Sequence, residues 1–167
     1  MKQLDECLLE NVLIEPVQLQ QIISKFTSRT LKKGDFLLKA GGRCQELVFI
    51  KQGYLRMFDF ANGKEITLWI GNEGSFLTSL SSFIFQTPNM WNIQAVTDCE
   101  LLVIHRTEHF QLLKKNPKWM EVDNLILAKA FTMLEQSMFA QLHTTAQQRY
   151  QIPVSYTHLT LPTILRV

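Results

Sequence analysis

The chain has 167 residues and a formal net charge of +2, with 46% hydrophobic and 19% charged residues. That composition excludes a disordered polypeptide and suits one domain with a sizeable core plus some appended structure. The charge is too small to make a nucleic-acid surface by itself, and no apolar run reaches the length of a membrane span.

The N-terminus carries Asp5 and Glu6 and lacks the charged-then-apolar pattern of a secretion signal, so a cytoplasmic protein is expected. The three cysteines, Cys7, Cys44 and Cys99, are scattered and show no metal-ligand spacing. Reduced, partly buried thiols are expected. The lysine pairs Lys32/Lys33 and Lys114/Lys115 read as solvated turn residues.

Residues 4–14 mix Leu, Val and Ile with acids and predict a short helix or capping segment. Pro16 suits the first turn of a second helix, whose face is Val17, Leu19, Ile22, Ile23 and Phe26. Glycine-punctuated strands follow. They run over Ser28–Leu31, Phe36–Leu38, Leu47–Ile50 and Tyr54–Phe60, broken at Gly34, Gly41-Gly42 and Gly53. In the fourth, Tyr54, Arg56 and Phe58 should face one way and Leu55, Met57 and Asp59 the other. Asn62-Gly63 predicts a tight hairpin between 55–60 and 65–70.

Ser75–Phe85 is rich in hydroxyls and puts Phe76, Leu80 and Phe83 together at helical spacing, predicting a short helix flanked by loop. Two more strands, Ile93–Val96 and Glu100–Ile104, join at Thr97-Asp98, and Glu108–Lys115 reads as helical. From Pro117 to about Gln151 nothing breaks a helix, which would be roughly 50 Å long. Leu127, Phe131, Leu134 and Met138 form one seam along it; Trp119, Val122, Ile126, Ala130 and Met133 form a second. Two stripes call for two partners, the chain's own barrel and a second copy, so a homodimer is expected.

After Pro153 the periodicity stops. The segment VSYTHLTLPT resembles a translated sequencing adapter, so residues 154–167 are read as a non-native tail. The expected organisation is a sensor domain over 1–116, a dimerisation helix over 117–152 and that tail.

Gly34, Gly41 and Gly53, the Lys33-Gly34-Asp35 turn and the Leu47–Ile50 strand resemble the cyclic-nucleotide-binding domain. More narrowly, the pattern from about residue 15 to 150 is similar to bacterial Crp/Fnr transcription regulators. The resemblance implies a mainly β fold with α: a jelly-roll barrel, N-terminal helices and a long C-terminal dimerisation helix. It also implies a winged helix-turn-helix after that helix. The chain as given lacks one, so DNA is expected as a partner only of an intact parent protein.

In that family a cassette between two strands holds the cyclic phosphate through backbone N–H groups, an acid for the ribose and an Arg for the phosphate. Aligned here, the first segment falls on Gly74-Ser75-Phe76, with Ser75 where the acid stands, and the Arg position falls near Asn89. No Arg or Lys lies between Lys64 and Arg106. A buried phosphate without a cation is costly, so an ordinary cyclic nucleotide is disfavoured. The candidate effector pocket is then Gly74, Ser75, Phe76, Thr78, Ser79, Asn89, Met90 and Trp91, for an unknown small molecule. The other reading is that the serines cap a helix and the aromatics fill the barrel.

No cofactor is expected. The four histidines, His105, His109, His143 and His158, have no metal-binding spacing on interior strands, and His105 and His109 are read as surface residues. No nucleophile–base pair stands out, so a cupin-like metalloenzyme ranks last. The leading expectation is the sensory and dimerisation part of a transcription regulator with a degenerate phosphate cassette. The alternative is a structural dimerisation module with a non-functional pocket.

Overall fold

In a computed structural model, the chain is described over residues 3–10, 12–61 and 63–143, side chains of 61 and 140–143 excepted. The tail 154–167 and the helix end expected over 144–152 lie outside the described residues.

Two helices lead: α1, Leu4–Leu9, and α2, Pro16–Ile23, the latter with Pro16 in its first turn. Eight strands follow: β1 Thr27–Leu31, β2 Phe36–Leu38, β3 Glu46–Gln52, β4 Leu55–Ala61, β5 Lys64–Gly71, β6 Phe76–Leu77, β7 Asn92–Ala95 and β8 Cys99–His105. Helix α3, Leu80–Phe85, sits between β6 and β7; α4, Arg106–Lys115, and α5, Pro117–His143, come last. The strands form two four-stranded antiparallel sheets, β1-β8-β3-β6 and β2-β7-β4-β5. This is the expected jelly roll.

Alternation explains the inter-sheet core. Val48, Ile50, Leu101 and Val103 from the first sheet meet Leu55, Met57, Ile93 and Ala95 from the second. Leu47 and Phe49 are also buried, so β3 is covered on both faces, as its unbroken apolar run predicts. Arg56 and Phe58 share the outer face of β4, where Arg56 lies 4.2 Å over the Phe58 ring. Phe58 is nonetheless buried, because Phe36 and Phe60 flank it at 6.3 and 5.8 Å. The β4–β5 hairpin closes at Ala61↔Lys64, with Gly63 at φ +74°.

One stretch departs from its sequence reading. Phe76-Leu77 is a strand paired with Phe49 and Val48, and the helix begins only at Leu80. Spacing had grouped Phe76 with Leu80 and Phe83. The ladder to β3 outweighs that local pattern, and Phe76 stacks on Phe49 at 5.1 Å instead.

Gly53 shows why the glycine breaks are needed. It lies at φ +94°, and a Cβ there would stand 2.4 Å from the Asp98 carbonyl oxygen. Gly41, at φ +84°, faces nothing within 4 Å. Gly41→Ala should therefore cost about 1 kcal/mol of backbone strain, and Gly53→Ala about 2 kcal/mol. Urea midpoints of the two variants check this; equal losses would remove the steric argument.

The chain divides into two compact units at Asp123/Asn124, inside α5. In the first, Trp119 and Val122, on the opening turns of α5, are buried. In the second, Phe131, Leu134 and Met138 are exposed, and Leu127 is half-buried. No helix among the described residues is long and apolar enough to cross a membrane.

Candidate functional site

The segment from Thr78 to Trp91 links β6 to β7 and carries α3. It is fastened to the chain just before β3 by side chains. Ser82, fully buried, accepts from the Cys44 N–H at 2.9 Å and donates to the Thr87 carbonyl at 2.6 Å. Thr78 Oγ1 donates to the Glu46 carbonyl at 2.9 Å and lies 3.2 Å from Cys44 Sγ. Gln86, at φ +55°, ends α3 and donates through Nε2 to the carbonyls of Cys44, Ser82 and Phe83. Arg106 closes the same end, donating to the Phe83 and Ile84 carbonyls at 2.6 and 3.1 Å. The first cation after the cassette is thus engaged by a helix terminus.

The predicted pocket residues make separate local contacts. Gly74 and Ser75 form a turn beside β3: the Gly74 N–H donates to the Ile50 carbonyl, and Ser75 Oγ bonds Asn72 Oδ1 at 2.9 Å. Ser79 is buried at the start of α3, with its carbonyl accepting from the Phe83 N–H. Asn89 is 3% exposed and fully engaged locally. Its amide donates to the Lys39 and Trp91 carbonyls and accepts from the Trp91 N–H, while its backbone bonds Gly41 and Gly42. Met90 is exposed, and Trp91 packs against the inter-sheet core.

A cavity of about 110 Å³ does open between β2, β6 and the residues before β3. Of the predicted set only Thr78 lines it. Its apolar wall is Leu37, Leu38, Leu77 and Ile93, and Arg43, Cys44, Gln45 and Glu46 complete it. Sequence reasoning passed over Arg43 because it searched for a cation inside the cassette. The loop after Gly41-Gly42 delivers one from the opposite side.

A second buried cluster links α3, α4 and the start of α5. His109, 2% exposed, corrects the surface assignment made from sequence. Its Nδ1 accepts from Trp119 Nε1–H at 3.3 Å, and its ring meets Phe83 and Phe110 edge-on, each at 5.2 Å. The Trp119 bond leaves the proton on Nε2, 3.6 Å from Asp123 Oδ1. Burial outweighs that carboxylate, and Arg106 acts with burial, so the His109 pKa falls to about 4. Burial pushes the Asp123 carboxyl up.

Among the described residues no group of three or more His, Cys, Asp or Glu side chains could hold a metal. None of the three cysteines is in a disulfide, and burial pushes the Cys99 thiol up.

The sandwich is similar to several solved structures. It matches Thermus thermophilus Catabolite Activator Protein at 21% identity and TM-score 0.66, over 81% of this chain and 62% of that one. It matches the sensor domain of the transcriptional regulator DNR from Pseudomonas aeruginosa at 24% and 0.59, over 79% and 85%. A CooA variant from Carboxydothermus hydrogenoformans matches at 18% and 0.64, over 89% and 95%. At these identities the likeness carries the fold, and the chain spans less than two thirds of the first of these proteins. No curated protein matches the chain. Strands β2 to β8, nearly all of β1, the α3 segment between β6 and β7, and α4 fall within residues 28–116, which match the cyclic nucleotide-binding domain, and the chain belongs to that family.

Proposed function

We propose that this chain is the effector-sensing and dimerisation part of a Crp/Fnr-type transcription regulator, and that its pocket has given up cyclic nucleotides. One observation carries the second half. The link from Thr78 to Trp91 contains no basic side chain, and Asn89, where a phosphate-binding Arg is expected, has its amide engaged by neighbouring carbonyls. The nearest Arg along the chain caps α3. A cyclic phosphate would lose its hydration and meet no cation in the cassette.

The fold likeness to a catabolite activator and to the sensor domain of a transcriptional regulator supports the regulatory role. In this reading the exposed stripe Phe131, Leu134 and Met138 on α5 pairs with a second copy. Operator DNA is read by a separate domain of a longer parent, and the present chain acts by binding rather than by catalysis. A second reading, a dimerisation module with no ligand, draws on the internal engagement of Ser82 and Asn89.

Titration calorimetry with cAMP and cGMP tests the proposal. No saturable binding is expected below about 1 mM, whereas a micromolar dissociation constant for either would end it.

A further inference from the structure

We propose that the cavity between β2 and β6 binds a small carboxylate with a short apolar tail, with Arg43 as its cation. This rests on the reading above that the pocket no longer takes cyclic nucleotides, and it names what enters instead.

Size limits the ligand first. The cavity is about 110 Å³. A water claims about 30 Å³ of liquid, and pockets for drug-sized ligands begin near about 300 Å³. The space therefore suits a molecule of only a few heavy atoms. Leu37, Leu38, Leu77 and Ile93 give it an apolar wall, so part of that molecule is hydrocarbon.

Charge decides the rest. Glu46 also lines the cavity, but both its carboxylate oxygens accept from Arg29, at 2.5 and 2.6 Å. Arg43 has no hydrogen-bond or ion-pair partner among the described residues. It is exposed and lines the cavity. With Glu46 neutralised by Arg29, one positive charge remains without a partner. A planar fork of donors matches a carboxylate, and one cation matches a monoanion. Thr78 Oγ1 already donates to the Glu46 carbonyl, so its hydrogen is not available to a second acceptor. Recognition then falls on Arg43, with the tail against the leucines.

The experiment uses the whole 167-residue chain, with butyrate, butyramide, hexanoate and cAMP followed by calorimetry and thermal shift. Butyrate should bind saturably and raise the melting temperature. Butyramide, the same size without the charge, should bind at least about tenfold more weakly, and hexanoate should gain nothing from its longer tail. Arg43→Gln should lower butyrate affinity by about tenfold or more without changing the melting temperature of the free protein. Arg43→Lys should retain part of it. No butyrate binding, or equal binding by Arg43→Gln, overturns the carboxylate site while leaving the sensor reading intact. Saturable cAMP binding overturns both.

Discussion

Stability of the first unit should fall by on the order of 3 kcal/mol as pH is lowered from 6.5 to 4, the ordinary and folded pKa values of His109. Between these values the unfolded chain binds the proton and the folded chain does not, so acid favours unfolding. The contribution is complete above 6.5, declines through the window and is gone below about 4. The first cause is burial, inside a shell formed by Phe83, Phe110 and Trp119. A proton on Nδ1 would moreover face the Trp119 N–H that now donates to it.

The charged groups around the ring pull in different directions. Arg106 on α4 strengthens the effect. Asp123 on α5 opposes it. Its pKa is raised, so its contribution is complete below the ordinary 3.8 and lost as pH rises through the folded value, which flattens the acid end of the window. Glu108, next in the chain, is paired with Lys25 at 2.7 Å. Urea unfolding followed by circular dichroism at pH 7, 6 and 5 measures the slope. His109→Gln lowers stability at every pH but should lose the slope between 6.5 and 5. An unchanged slope in that variant would show that other groups cause it.

Legibility followed the range of the forces involved. Strands with local punctuation could be read directly: Gly53 and the Asn62-Gly63 hairpin impose backbone geometry from their own residues. The jelly roll followed from their order and from the double burial of Leu47–Ile50. Phe76 was misplaced because its partner, Phe49, is 27 positions away and pairs only through the sheet. His109 was misplaced for a related reason. The residues just before it, Thr107 and Glu108, are polar, and much of its cover comes from other elements, Phe83 on α3 and Trp119 on α5. The absence of Lys and Arg between Lys64 and Arg106 was visible in the sequence. The place of Arg43 at the cavity was not, since it comes from a loop about thirty residues before Gly74. Spacing gathers what lies on one element, whereas this site is assembled from three.

Phe131→Glu should weaken self-association of the chain at least about 100-fold. Phe131, Leu134 and Met138 are 63%, 53% and 61% exposed and recur at spacings of three and four along α5. Stripes of this kind on a monomer's surface are unusual and mark contact faces. Burying one such side chain contributes roughly 1.5–3 kcal/mol. Three from each copy therefore supply on the order of 10 kcal/mol, enough to exceed an association cost of about 4–15 kcal/mol only when all contribute. One substitution removes two burials, because symmetry repeats it, and brings two like charges to the seam. Sedimentation equilibrium should give twice the 19.4 kDa chain mass for the parent and the single mass for the variant. Leu127→Glu should act in the same direction but less strongly, since Leu127 is already half-buried in one chain. Lys129→Glu, exposed on the opposite side of the same helix, should leave the mass unchanged. A parent chain that sediments as a monomer at tens of micromolar would remove the dimer from the proposed function. The sandwich and its cavity would then remain to act alone.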